Sequence, residues 1–227
     1  MDNDKTKHII TVIKEQAVIP LFYHDDIAIN ISIIDALYNA GIRIVEYTNR
    51  GSKALDNFKE LIAARNTKWP GLILCAGTIK TVETAKQFIN AGADFIVCPC
   101  MIPEVAKVVQ DAGLLWVPGC MTPTEIAIAE QHGALLVKLF PGSLLTPAFV
   151  TAVKEVFPGL LFMPTGGVDV SKANLTAWFT SGVVAVGLGS KMISKELIQK
   201  EEYEAIGKLA SEALAIVHTV KSTIEDK

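Results

Sequence analysis

The chain has 227 residues, half of them apolar and a fifth charged, with a mean hydropathy of +0.37. That composition excludes a disordered polymer and gives a chain long enough to bury a large core. Its 21 basic and 24 acidic side chains leave a net charge of −3, which offers no electrostatic footprint for nucleic acid. The apolar runs reach only about eight residues, short of the roughly 18 needed to span a bilayer, so no membrane partner is expected.

The first residues, Met1 to His8, are polar and show no secretory pattern. The four cysteines, Cys75, Cys98, Cys100 and Cys120, sit in apolar runs, as reduced thiols of a cytoplasmic protein do. From residue 17 onward a beat repeats. A short apolar run ends in turn-forming residues, an amphipathic stretch follows, and a glycine precedes the next run. The runs are 17–23, 42–48, 72–77, 95–100, 114–120, 135–141, 160–166 and 183–189, starting about 19 to 30 residues apart. That interval suits a helix after each strand, and the lack of polar–apolar alternation suits parallel strands covered on both faces.

The punctuation agrees. Glycines 41, 92, 113, 133 and 182 precede runs, where a helix end takes a left-handed residue. Thr122-Pro123-Thr124-Glu125 reads as a capping box with proline at the first helical position, and Thr146-Pro147 repeats the cap. In 26–40, Ile27, Ile31, Ile34 and Leu37 mark one helical face. Eight units favour a closed (β/α)8 TIM barrel over an open doubly wound sheet. The first strand–helix turn, Tyr23-His24-Asp25-Asp26, lacks the glycine fingerprint common in open sheets. No linker interrupts the chain, so 1–227 is read as one α/β barrel domain. The residues before 17 and the last twenty or so are read as extra helices.

Two charges stand out inside the runs: Glu46, late in the second, and Lys138, with apolar residues on both sides. Strand C-termini carry the chemistry of such barrels. An amine kept from water loses its charge more readily and attacks carbonyls, and a neighbouring carboxylate shuttles the protons required. The plain alternative is a buried structural ion pair. Pro164-Thr165-Gly166-Gly167 and Gly187-Leu188-Gly189-Ser190 end the last two runs, where barrels bind phosphate; ordinary tight turns are the alternative.

These segments resemble the 2-keto-3-deoxy-6-phosphogluconate (KDPG) and 4-hydroxy-2-oxoglutarate (KHG) aldolase family over residues 17–193. The resemblance is carried by Glu46-Tyr-Thr-Asn-Arg50, Ala76-Gly77-Thr78, Met121-Thr-Pro-Thr-Glu125, Lys138-Leu-Phe-Pro-Gly142, Met163-Pro-Thr-Gly-Gly-Val168 and Gly187-Leu-Gly-Ser190. It implies a class I aldolase, a lyase that cleaves a keto sugar acid phosphate to pyruvate and an aldehyde phosphate, without metal or cofactor, commonly as a homotrimer. It makes Lys138 the Schiff-base lysine and Glu46 the acid/base. Arg50 and Thr78 match the pyruvate-carboxylate contacts. Thr165, Gly166, Gly167, Gly189 and Ser190 match the distal-phosphate region. KHG or 2-keto-3-deoxy-6-phosphogalactonate is the alternative substrate, and a phosphate-binding barrel isomerase or epimerase, or a sugar-acid sensor, the alternative activity.

Without the resemblance, Arg50 reads as a solvated loop residue and Thr78 as a helix cap. Three departures bear on the substrate's far end. Pro20-Leu21-Phe22-Tyr23-His24 stands where many relatives have an arginine, Ser143 follows Phe140-Pro141-Gly142, and Cys98-Pro99-Cys100 ends the fourth run. A cysteine zinc site is the weaker reading of the thiols. His24 is placed near the site mouth, and His8, His132 and His218 get no role. Trp69, Trp116 and Trp178 are read as packing, and the charges of 200–227 as a solvated helix face.

Overall fold

The computed structural model describes residues 3–225. Its strands are β1 (Val18–Phe22), β2 (Ile44–Thr48), β3 (Ile73–Gly77), β4 (Phe95–Val97), β5 (Leu115–Val117), β6 (Gly119–Cys120), β7 (Leu136–Leu139), β8 (Leu161–Pro164) and β9 (Val186–Leu188). The helices are α1 (Asn3–Gln16), α2 (Ile27–Asn39), α3 (Ala54–Lys68), α4 (Val82–Asn90), α5 (Pro103–Asp111), α6 (Pro123–Gln131), α7 (Pro147–Val156), α8 (Lys172–Thr180), α9 (Lys195–Gln199) and α10 (Tyr203–Glu225).

All the pairings are parallel, in two sheets ordered β5-β4-β3-β2-β1-β9 and β6-β7-β8. The fifth apolar run supplies both β5 and β6, interrupted at Pro118, which has no N–H to give a ladder. The path is nonetheless continuous. Cys98 N donates to Val117 O, and Lys138 N to Pro118 O at 2.8 Å. At the other seam Thr165 bridges Gly187, and Val184 N donates to Phe162 O at 3.0 Å. These contacts close eight strand positions into the TIM-like barrel expected from the eightfold beat.

The barrel interior is apolar below the level of Glu46. Ile19, Ile44, Phe95, Val117, Leu136 and Met163 pack there with Ile9 and Ile13 of α1. That helix therefore plugs the end where the strands begin, leaving the opposite end for a site. Each buried isoleucine adds about 1.5–3 kcal/mol. Gln16, at the end of α1, ties the same end, donating to Ile44 O at 3.1 Å and accepting from Ile44 N at 3.0 Å. α10 buries Ile206, Ala210, Ala213 and Val217 and exposes its charged side.

The caps form as the sequence specifies. Thr122 accepts from Glu125 N while the Glu125 carboxylate takes Met121 N and Thr122 N, each at 2.8 Å, and Thr146 caps α7. Those bonds hold the Glu125 carboxyl below its ordinary range against the opposing effect of burial. Thr78 is not a cap; that role falls to Thr81, whose hydroxyl accepts from Thr84 N, because α4 begins only at Val82. In α2, Ile34 and Leu37 are buried, but Ile27 and Ile31 are half-buried, and Asn30 and Ile33 complete the inner face. Asn30 is drawn inward by its bonds to His24 O (2.9 Å) and the Tyr47 hydroxyl (3.1 Å).

Candidate active site

Alternation along β2 turns Ile44 and Glu46 into the barrel and Tyr47 out toward the helices. Tyr47 is wholly buried there, and burial pushes its hydroxyl up to about 12. Its neighbours Asn30 and Asn57 also bond the His24 carbonyl, which fixes the loop after β1. The His24 ring accepts from Asp26 N at 3.0 Å, and His24 does not line the site cavity.

Lys138 points inward from β7, flanked in register by Gly119 and Met163. Its Nζ lies 3.1 Å from Glu46 Oε1 and 3.3 Å from Oε2. The two side chains are 4% and 1% exposed, so the pair is out of contact with bulk water. Burying either charge alone would cost several kcal/mol, and the pair offsets that cost. Both the catalytic and the structural reading bring these groups together. A structural pair, however, needs no cavity beside it. Here Lys138 Nζ lies 5.6 Å from the centre of the Phe140 ring, and Phe140 lines a cavity of about 340 Å³.

Arg50, Thr165, Gly166, Gly167, Gly189 and Ser190 all line that cavity, so the structure gathers six of the residues picked out by sequence. Lys138 and Glu46 do not line it themselves and lie behind its wall, Lys138 approaching it through Phe140. Arg50 has no ion pair among the described residues. Thr165 is 3% exposed, and its Oγ1 has no hydrogen-bond partner. Gly187 is required beside it, because a Cβ there would overlap that hydroxyl. Thr78 does not line the cavity; it follows β3 half-buried, at φ +60°.

Sequence reasoning missed Tyr23, Lys191 and Lys195, which line the same cavity. Tyr23 comes from the stretch that departs from the family pattern, and Lys191 directly follows Gly189-Ser190; their position was the only signal. A larger hollow of about 430 Å³ between α2 and α10 is an open outer groove, lined by none of the residues picked out by sequence. Burial pushes the Cys98 and Cys120 thiols up to about 12 and Cys75 well above its ordinary range. Cys100 is exposed, and among the described residues no three His, Cys, Asp or Glu side chains gather as metal ligands.

A family model described as KDPG and KHG aldolase matches residues 9–209. The 2-dehydro-3-deoxy-phosphogluconate aldolase of Haemophilus influenzae is 31% identical over 214 residues, covering 93% of this chain and 98% of that one. The 2-dehydro-3-deoxy-6-phosphogalactonate aldolase of Escherichia coli is 26% identical over 193 residues, covering 85% and 88%. Among solved structures, the KDPG aldolase from Legionella pneumophila, with pyruvate captured as a covalent carbinolamine intermediate, superposes with a TM-score of 0.80. It is 25% identical and covers 89% of this chain and 96% of that one.

Proposed function

The chain belongs to the KDPG and KHG aldolase family, and from that premise we propose that it is a class I aldolase cleaving 2-keto-3-deoxy-6-phosphogluconate to pyruvate and glyceraldehyde 3-phosphate. The buried Lys138–Glu46 pair beside a cavity lined by Arg50 and the glycine turns is the observation that carries this reading.

Glu46 takes a proton from the Lys138 ammonium across the 3.1 Å contact, and the free amine attacks the C2 carbonyl of the keto acid. Glu46, now a carboxylic acid, protonates the carbinolamine hydroxyl, which leaves as water and yields the iminium. The carboxylate then accepts the proton of the C4 hydroxyl. The C3–C4 electron pair moves into the iminium, and the aldehyde phosphate departs. The enamine is protonated at C3, and water hydrolyses the resulting imine to pyruvate and the lysine amine. Throughout, the protonated imine is the electron sink.

Arg50 suits the pyruvyl carboxylate, since a guanidinium can hold it through two parallel N–H bonds. Thr78 joins it in this reading on the family resemblance. Thr165, Gly166, Gly167, Gly189 and Ser190 take the distal half. The same machinery serves 2-keto-3-deoxy-6-phosphogalactonate, which the similarity to the Escherichia coli enzyme favours as the second substrate. A homotrimer in the cytoplasm is part of the proposal, and light scattering of the purified protein tests the trimer.

Incubation with pyruvate and borohydride, followed by peptide mass spectrometry, tests the chemistry. A reduced pyruvate adduct on Lys138 is expected. Absence of any adduct would leave the isomerase and sensor readings standing in its place. Relative kcat/KM on the gluconate, galactonate and 4-hydroxy-2-oxoglutarate substrates then ranks them.

A further inference from the structure

Arg50 lines the cavity from the loop between β2 and α3, with its side chain exposed and no ion pair among the described residues. Such a side chain has many rotamers, so its aim depends on where the backbone puts it and what stands beside it. Before Arg50 the backbone is fixed by the sheet. Asn49 N donates to Gly77 O at 2.8 Å, Arg50 N to Thr48 O at 2.9 Å, and the Thr48 hydroxyl to Phe22 O at 3.1 Å. After Arg50 comes Gly51, and there the neighbour is Tyr23.

A Cβ on Gly51 would overlap the Tyr23 hydroxyl and the ring carbons beside it. Gly51 has no left-handed φ, so its backbone would accept a side chain, and Tyr23 is what excludes one. The Tyr23 hydroxyl donates to the Asp25 carboxylate, and its ring packs against that of the buried Tyr47 with centroids 5.8 Å apart. Burial and the Asp25 carboxylate raise the phenol's pKa, so the hydroxyl keeps its proton and stays a donor. The turn beneath is anchored from the interior. Buried Asn57 donates to Asp25 O at 2.9 Å and His24 O at 3.1 Å, and buried Asn30 to His24 O at 2.9 Å. Tyr23 is thus a strut between an interior polar network and the residue that follows Arg50, and both Tyr23 and Arg50 line the cavity.

We infer that Tyr23 is a positioning residue for Arg50: its phenol, latched to Asp25 and seated on Gly51, holds the loop from which the guanidinium meets the substrate's carboxylate. This rests on the aldolase reading, in which Arg50 takes the pyruvyl carboxylate. Two parallel N–H bonds to a carboxylate demand a fixed guanidinium plane, which a loosened loop does not supply. Loss of the latch therefore weakens binding at the carboxylate while Lys138 and Glu46, on β7 and β2, stay as they are.

The pyruvate concentration that half-saturates borohydride trapping on Lys138 tests this in the full chain. Tyr23→Phe keeps the ring and removes the hydroxyl. Its half-saturating concentration is expected to rise about three- to tenfold, with the amount trapped at saturation unchanged. In an Arg50→Met background, where the carboxylate contact is already gone, the same change is expected to shift half-saturation by less than about twofold. A shift of equal size in both backgrounds, as a general loosening of the fold or a direct contact of the phenol with pyruvate would give, overturns the inference. So does no shift in either. Gly51→Ala, which displaces the phenol from the other side, is expected to reproduce the rise, and parent half-saturation in that variant also overturns the inference. Steady-state cleavage of 2-keto-3-deoxy-6-phosphogluconate by Tyr23→Phe is expected to change in KM rather than kcat; a loss confined to kcat overturns the inference. No adduct in the unsubstituted protein at any pyruvate concentration overturns the aldolase reading and this inference with it. An adduct there leaves that reading standing whatever Tyr23→Phe does.

Discussion

Gly77 and Glu46 meet across β3 and β2 with no room for a methyl group: a Cβ on Gly77 would fall on Glu46 Oε1. The carboxylate is therefore held against Lys138 partly by what its neighbour lacks. Gly77→Ala displaces it, and overpacking at this buried position costs about 1–3 kcal/mol. Turnover falls about 100-fold or more, the usual contribution of a positioned acid/base. Steady-state kinetics and urea unfolding of the variant check both effects. Turnover at the parent rate would mean that the carboxylate position does not matter.

The pair itself separates chemistry from architecture. Glu46→Gln or Lys138→Ala leaves one charge buried without its partner, which costs about 3–5 kcal/mol. Glu46→Leu/Lys138→Met removes both charges and recovers most of that stability. None of the proteins lacking Lys138 forms the pyruvate adduct. Glu46→Gln forms it slowly and loses about 100- to 10,000-fold in turnover. Thermal melts beside adduct mass spectra read the two properties independently, and parent turnover in Glu46→Gln would remove its assigned role.

The strands and the charged pair were legible because burial makes them conspicuous. Parallel strands covered on both faces read as unbroken apolar runs, so one glutamate and one lysine among them stand out. Capping at Thr122 and Thr146 was legible for a local reason, since cap and partner lie three residues apart. What stayed hidden depends on distant chain. The break at Pro118 follows from a missing N–H within a run that otherwise looks continuous. The close approach of Gly77 to Glu46 is set by the β2–β3 register, and the placing of the exposed Lys191 and Lys195 along the cavity by the path after β9. In α2, Asn30 displaces an expected apolar position because its partners, Tyr47 and His24, come from other elements.

Thr165 carries a hydroxyl that the protein alone does not satisfy. Replacing it with the near-isosteric valine removes a buried unpaired oxygen, so folding stability stays level or rises by up to about 1 kcal/mol. Ligand binding should suffer instead, with KM for the phosphorylated keto acid rising about tenfold as one hydrogen bond is lost. A clear drop in melting temperature for Thr165→Val, with KM unchanged, would show that this oxygen serves the fold and has no part in holding ligand.

Alkaline behaviour follows from buried acids, among them Cys75, whose thiol is pushed well above its ordinary range by burial. Burial is the main reason that Tyr47, Cys98 and Cys120 all titrate near about 12. In the unfolded chain a thiol releases its proton near about 8.5 and a phenol near about 10. Between those values and about 12 the unfolded chain binds fewer protons than the folded one, so stability falls as pH rises. The full contribution is present below about pH 8.5 and drains away toward about pH 12. Melting temperature should therefore decline steadily through pH 9 to 11. Thiol reactivity gives the same burial a residue-level readout at pH 8. Cys100 is exposed while Cys75, Cys98 and Cys120 are buried, so a disulfide reagent should meet one fast thiol and release the other three only as the chain unfolds. Cys100→Ser removes the fast phase and leaves the slow one. Two or more fast thiols in the folded protein would contradict the closed packing at the ends of β4 and β6.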